Sequence, residues 1–129
     1  MTRKAFGALV MAALIAGSVS CSRPYGYRFY PDVPRFAPTH PSQVELLRRE
    51  PRRDHLRLGE VWMRPEPRMR RAYVEDVLRE EAARMGADAL VIAVDRFFRE
   101  PVWDRGYGRG RGYYRERQII GIAIRYRRR

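Results

Sequence analysis

The alternation of apolar and polar positions predicts a series of strands and one helix in the C-terminal part of the chain. Residues 43–47 alternate like a short strand, and residues 56–63 give a second strand after a polar stretch. We expect these two strands to pair as an antiparallel hairpin. Within the second strand the apolar residues move from even positions before Gly59 to odd positions after it. This change predicts a β-bulge that returns all of them to one face of the strand.

A helical period replaces the alternation after Pro65 and Pro67, and it predicts one amphipathic helix that runs to about Met85. Its apolar stripe consists of Val74, Val77, Leu78, Ala82 and Met85. Gly86 is the residue type that most readily adopts the left-handed conformation found just after a helix. We therefore expect the helix to end there and to cover a sheet with its apolar side.

Two further segments, residues 89–94 and 118–126, are apolar at both odd and even positions. This pattern is typical of strands buried on both faces, so we expect residues 89–94 to be central. Residues 97–117, which are rich in Gly, Arg and Tyr and lack a clear period, are predicted to be a long mobile loop. The order β-β-α-β-β predicts an α+β fold, with about four strands in one small mixed sheet and one main helix packed on one face.

A single helix covers only one face of such a sheet, whereas the last two predicted strands are apolar on both faces. The second face therefore needs another cover. We expect either the aromatic segment 29–36 or a second copy of the protein to pack there.

The first 41 residues have a different composition and are predicted to lie outside the domain at residues 42–129. Residues 2–4 carry a positive start, and residues 5–17 are an apolar run, which together are typical of a signal peptide over residues 1–20. A run of 13 apolar residues is too short to span a bilayer comfortably. Residues 21–41 contain five prolines and several aromatics, and we expect a tether that is mobile in its first part and lies against the domain in its second.

Cys21 is the only cysteine of the chain and follows this signal directly. The stretch resembles a bacterial lipoprotein signal, and the resemblance implies cleavage before Cys21 and acylation of its thiol. Ser22, rather than Asp, after the cysteine resembles the outer-membrane sorting pattern, which implies a location in the cell envelope at the periplasmic side of the outer membrane. Ordinary signal cleavage nearby and an uncleaved anchor are the alternatives.

The segment LREEAARMGADALV, residues 78–91, places a helix end and a Gly-Ala-Asp corner before an apolar strand. It resembles small bacterial envelope lipoproteins with a β-β-α-β-type domain, and it is similar to the outer-membrane sensor lipoprotein of the Rcs phosphorelay. This resemblance implies an envelope protein as a partner and an envelope-stress sensor as one alternative function. It assigns no functional residue.

The chain has 27 Lys and Arg residues against 15 Asp and Glu residues, a formal charge of +12 at pH 7. Such a charge attracts anionic lipid, polysaccharide or nucleic acid. Candidate contacts with an anionic surface lie in the Gly- and Tyr-rich segment: Arg105, Arg109, Arg111, Arg115 and Arg117. An export signal directs the protein away from cytoplasmic nucleic acid, which leaves an anionic envelope surface or a solvated loop as interpretations.

Catalytic and metal-binding patterns are weak in this sequence. His40 and His55 are far apart, and no serine or cysteine occupies a recognisable nucleophile position. The acidic residues of the predicted helix alternate with arginines at helical spacing, which favours surface ion pairs. We therefore expect no enzymatic activity, no cofactor and no metal. The sequence predicts an exported, membrane-tethered binding or structural module of the cell envelope. Stress sensing, and binding of a polyanion or nucleic acid, are the alternatives, and self-association stays open.

Overall fold

The computed structural model describes residues 22–101 and 113–128. Within them, five strands form one sheet and one α-helix lies on it. The strands are β1 (Tyr25–Phe29), β2 (Glu45–Leu47), β3 (His55–Met63), β4 (Ala89–Pro101) and β5 (Tyr113–Tyr126); the helix is α1 (Arg71–Arg84), and a 3-10 helix spans Pro41–Gln43. The strand order is β1-β3-β5-β4-β2, in which only the β4–β2 pair is parallel. The predicted α+β class with a mixed sheet and one helix is confirmed.

The β-bulge predicted in β3 is present. The pairing of β3 with β5 shifts its register between Arg57 and Gly59. As a result, apolar residues from both sides of the bulge reach the same core, namely Leu56, Leu58, Val61 and Met63. A Cβ at position 59 would collide with the carbonyl oxygen of Arg28 in β1, so only glycine allows the two strands to approach this closely.

The helix α1 buries the apolar stripe that the sequence predicts. Val74, Val77, Leu78, Ala82 and Met85 are all inaccessible or nearly so. The helix begins at Arg71, later than predicted, with Arg70 as an extended N-cap. Pro65 and Pro67 disfavour the α conformation at Arg64 and Glu66, which keeps these two residues in the loop. Its predicted end is confirmed, since Gly86 has a φ of 79° just beyond the C-cap Met85.

The predicted hairpin between the first two strands of the domain is wrong. β2 pairs in parallel with β4, at the edge of the sheet opposite to β1, and β3 pairs with β5 from His55↔Tyr126 to Met63↔Ile119. The alternating pattern of β2 shows which side chains face the core, but the same pattern suits any open edge. The apolar strands β4 and β5 take the interior of the sheet, and β2 completes the free edge of β4.

The predicted tether is wrong in its first part, because residues 25–29 form the edge strand β1. An edge strand tolerates flanking prolines, since only one of its sides needs hydrogen bonds. The second part does lie against the domain, where Val33 and Phe36 pack on the core beneath α1 and the Thr39 N–H donates to the Ala83 carbonyl oxygen at 2.9 Å. The expectation that this segment covers the other face of the sheet is therefore wrong.

The other face of the sheet, opposite α1, is not fully exposed, since Ala89 and Ile124 on it are completely buried. It carries a small cluster of Ala89, Val91 and Ile124 packed with Leu47, Ile122 and Tyr126. No helix among residues 22–101 and 113–128 covers it. A second copy of the protein on this face stays a prediction.

The predicted loop at residues 97–117 is largely strand at both ends. Pairing between β4 and β5 continues to Pro101↔Tyr113, well past the edge of β3. We call the projecting part of this hairpin, residues 95–101 and 113–117, the arm. Its residues show no clear apolar period because α1 and the other strands do not extend over it, and residues 102–112 lie outside the described part of the chain.

Candidate anionic-surface site

The arm projects from one end of the sheet. The pairs Tyr25↔Met63 and Met63↔Ile119 mark where β1 and β3 stop. Beyond Asp95↔Ile119, β4 and β5 form six further pairs, a projection of about 20 Å at the usual rise of a strand.

Two other segments reach the same end of the sheet. Residues 22–24 precede β1 there, and residues 64–71 comprise the loop from β3 to α1 and the first residue of α1. The Arg64 N–H donates to the Pro24 carbonyl oxygen at 2.7 Å, and the Arg64 guanidinium lies 3.5 Å from Glu116 of the arm. We call residues 22–24, residues 64–71 and the arm together the arm end.

The arm end is strongly basic. It contains four acidic residues, Glu66, Asp95, Glu100 and Glu116. Against them it contains nine arginines, Arg23, Arg64, Arg68, Arg70, Arg71, Arg96, Arg99, Arg115 and Arg117. This excess of positive charge at one end creates a local field that attracts anions, and salt screens it.

Arginines and phenylalanines contact one another along the arm. The guanidinium of Arg115 lies 5.2 Å from the ring centroid of Phe97, and that of Arg96 lies 4.8 Å from the ring centroid of Phe98. These distances fall within the range of cation–π attraction. Phe97 is nevertheless 59% exposed, so the arm presents both an apolar ring and cationic groups to its surroundings.

Arg117 is fixed at the base of the arm by an ion pair. Its Nε and Nη2 each donate to a carboxylate oxygen of Asp95 at 2.8 Å, in the bidentate geometry that suits the two groups. These hydrogen bonds hold the pKa of Asp95 below its ordinary value and raise the pKa of Arg117. Arg48 approaches the same carboxylate at 3.6 Å. Arg117 therefore acts first as a structural partner of Asp95.

A cleft of about 210 Å³ lies between α1 and the base of the arm. Its walls carry the basic side chains of Arg48, Arg71, Arg79 and Arg117, over an apolar floor that includes Ile92 and Ile119. The arginines are paired within the protein: Arg71 donates to Glu75 at 2.8 Å, and Arg79 lies 4.0 Å from Glu75. An anion entering the cleft would compete with Glu75 and Asp95 for the same donors, which makes the cleft a weaker anion site than the exposed arm.

The structure places only part of the predicted site. Arg115 and Arg117 lie on β5, in the arm, whereas Cys21, Arg105, Arg109 and Arg111 lie outside the described residues. The sequence interpretation missed the basic residues at 23, 64–71, 96 and 99. The sequence RFFR at 96–99 was a usable signal, because it combines arginine with aromatic residues, as YYRER at 113–117 in the arm's other strand does. The proximity of residues 64–71 required the fold.

The two histidines lie in unrelated settings. His40 Nδ1 accepts a hydrogen bond from the Ser42 N–H at 3.2 Å, at the start of the 3-10 helix. His55 is hydrogen-bonded to the Arg53 carbonyl oxygen at 2.6 Å and to Glu50 at 2.9 Å, and these contacts raise its pKa, the carbonyl contributing most. The pKa of Glu50 falls to about 2 because Arg57, and then His55, donate to it.

The Ser42 hydroxyl lies 2.6 Å from His40 Nδ1 in an exposed turn, whereas His55 contacts a backbone carbonyl and Glu50, not a hydroxyl or thiol. Within the described ranges, no group of three or more His, Cys, Asp or Glu side chains could hold a metal ion. Three helix carboxylates, those of Glu75, Asp76 and Glu81, form ion pairs with arginines, as the sequence indicates. The buried Glu81 lies 3.1 Å from Arg84. The arm end is therefore the surface with the clearest chemical character.

Among the helices of the described part, none is long and apolar enough to span a bilayer. Comparison of the chain with models of protein families, with curated proteins and with solved structures finds no match.

Proposed function

We propose that the protein is an exported lipoprotein of the bacterial cell envelope, anchored through an acylated Cys21, whose folded part is a non-catalytic binding module at the membrane surface. The observation that supports this proposal best is the position of β1, which starts at Tyr25. Three residues separate Cys21 from this strand, so the four steps from Cys21 to Tyr25 reach about 14 Å even when fully extended. An anchor at Cys21 would therefore hold the domain directly against the lipid headgroups.

The surroundings of Ser22 support the same interpretation. Ser22 and Arg23 line shallow surface pockets together with Trp62, and Pro24 is hydrogen-bonded to Arg64. The chain next to Cys21 is thus part of the domain surface and not a free linker. Several acyl chains give stable attachment, since each buried methylene contributes about 0.8 kcal/mol.

A binding role fits the surface better than catalysis. Most charged groups of the described residues lie in exposed ion pairs or are exposed arginines, and the buried Glu81 lies 3.1 Å from Arg84. The lowered pKa values of Glu50 and Asp95 are due first to their arginine partners. Catalysis by a side chain requires a nucleophile or a general base with a positioned partner. The arm end instead offers positive charge and exposed apolar area, both of which can contact a binding partner.

Acylation is tested by metabolic labelling with a fatty acid, followed by membrane fractionation. We expect the wild-type protein to carry the label and to sediment with membranes, and Cys21→Ala to lose the label. Ser22→Ala is the matched control, because it leaves the thiol in place and should keep the label. A wild-type protein that incorporates no label, or a Cys21→Ala variant labelled as strongly as wild type, would refute the anchor.

A further inference from the structure

We propose that the arm end is a membrane-facing surface that binds the anionic phospholipid headgroups of the bilayer holding the anchor. This inference rests on the proposed function for the position of the anchor at Cys21. It adds the orientation of the domain, the surface that contacts the lipid and the lipid chemistry that this surface selects.

The first argument is geometric. Ser22 belongs to the arm end, and the Cα of Cys21 lies about 3.8 Å from the Cα of Ser22 across their peptide bond. A lipid attached at residue 21 therefore enters the bilayer from this end. The arm projects from the same end, since β4 runs past the Tyr25↔Met63 level to Pro101. Anchor and arm thus meet the same headgroup layer.

The second argument is the supply of unpaired positive charge. Six exposed arginines of the arm end have no described carboxylate group within 4.0 Å: Arg23, Arg68, Arg70, Arg96, Arg99 and Arg115. At the opposite end Arg57 pairs with Glu50 at 2.6 Å and Arg127 with Asp54 at 3.7 Å, whereas Arg53, which lies over the Tyr126 ring, and Arg128 have no described carboxylate within 4.0 Å. Because one basic residue near an anionic membrane favours binding by roughly a fivefold factor, the unpaired arginines of the arm end attract an anionic membrane to the end where the anchor also lies.

The third argument is the location of exposed aromatic rings. The large apolar side chains most exposed in the described residues are Tyr27, Tyr73 and Phe97. Phe97 belongs to the arm, and Tyr73 lies in the first turn of α1, directly after residues 64–71. Aromatic rings are favoured at the headgroup level, where an apolar body and polar surroundings coexist. A soluble polyanion would use the arginines but would leave these rings in water.

The orientation is tested with tryptophan probes and brominated phospholipids, which quench tryptophan fluorescence in the bilayer. Phe97→Trp reports on the arm, and Gln43→Trp, in the exposed 3-10 helix near the far end of α1, is the control. The acylated full-length product is reconstituted into vesicles of zwitterionic lipid with or without one third anionic lipid. Native tryptophans give the same background in both variants.

We expect quenching of the Phe97→Trp probe on anionic vesicles and little quenching of the Gln43→Trp probe. The difference should vanish on purely zwitterionic vesicles and at high salt, which shortens the Debye length below about 10 Å. Equal quenching of the two probes on anionic vesicles would overturn the proposal. Quenching of the Phe97→Trp probe that does not change with lipid charge or with salt would overturn it as well.

A second comparison uses surface charge variants at the two ends of the domain. Arg96→Gln with Arg115→Gln removes two positive charges from the arm end, and Arg127→Gln with Arg128→Gln removes two from the opposite end. The first pair should shift the orientation equilibrium by about 30-fold, and the second pair should leave it unchanged. Equal effects of the two pairs would mean that net charge alone acts, and the assigned surface would be wrong.

The outcome separates this inference from the anchor itself. If fatty-acid labelling shows no acylation, the same variants are coupled to a maleimide-bearing lipid through the thiol of Cys21, the only cysteine of the chain. The quenching pattern then tests the arm end with the anchor supplied chemically. If no fatty acid is incorporated but the chemically anchored protein shows the expected quenching, only the proposed anchoring is refuted. If fatty acid is incorporated but the expected quenching is absent, only the assigned surface is refuted.

Discussion

The contact between Gly121 of β5 and Leu90 of β4 gives a sharp test of how the sheet core is packed. A Cβ built on Gly121 would lie 2.7 Å from both Cγ and Cδ1 of Leu90 and 3.1 Å from its Cδ2. Leu90 is completely buried, so its side chain has little room to yield. The nearest obstacles to a methyl group at position 121 thus all belong to one side chain.

This geometry predicts a strong coupling between two substitutions. Leu90→Ala alone should lower the free energy of unfolding by about 2–5 kcal/mol, through lost burial and a cavity. Gly121→Ala alone should lower it by about 1–2 kcal/mol, because overpacking outweighs the strand preference gained by replacing glycine. In the Leu90→Ala background the obstructing atoms are absent, and Gly121→Ala should instead raise the free energy by about 0.5–1 kcal/mol.

The assay is urea unfolding of the four proteins, followed by far-UV circular dichroism and analysed as a double-mutant cycle. Leu58→Ala is the control, since this buried side chain lies at the β3 bulge, three residues from Val61, the β3 residue that pairs with Gly121. Its effect should add to that of Gly121→Ala. If Gly121→Ala destabilises the Leu90→Ala protein as much as it destabilises the wild type, the proposed contact does not govern the packing.

Two further predictions concern the end of α1 and the titration of His55. Gly86→Ala should lower the free energy of unfolding by more than about 1 kcal/mol, because φ is 79° and a Cβ would lie 2.8 Å from the Ala37 carbonyl oxygen. The change should be seen as a lower melting temperature, and an unchanged melting temperature would contradict this prediction. By NMR, the pKa of His55 should lie above 6.5, so that its stabilising contribution is complete below pH 6.5 and lost as the pH rises through the folded-state value. Glu50→Gln should lower this pKa only in part, since the contact with the Arg53 carbonyl oxygen remains; no change, or a complete return to 6.5, would show that the causes are assigned wrongly.

The elements with a strong local signature could be predicted from the sequence. The stripe of α1, its end at Gly86 and the parity change at Gly59 each follow from the period with which side chains meet the core. β1 was missed because prolines surround it and an edge strand needs few apolar residues. The arm was missed because both of its faces lie beyond α1, so burial imposes no period on its residues.

The candidate site depended on the fold to a greater degree. Arg115 and Arg117 could be found from their local composition, but their grouping with residues 22–24 and 64–71 could not. These segments are far apart in sequence, and they meet because β1 and β5 both pair with β3 while β4 and β5 project beyond it. Charge density at a surface depends on such distances in space.

The sequence by itself determined the α+β class, the apolar side of α1, the bulge at Gly59 and the basic charge, because each depends on residue type or on spacing within one segment. It also carries the prediction of an anchor at Cys21. Only the tertiary structure decided that β2 pairs with β4 and that the basic segments converge at the arm end. Strand partners are selected by long-range packing, which a local pattern of burial does not record, and that selection sets where the charges lie.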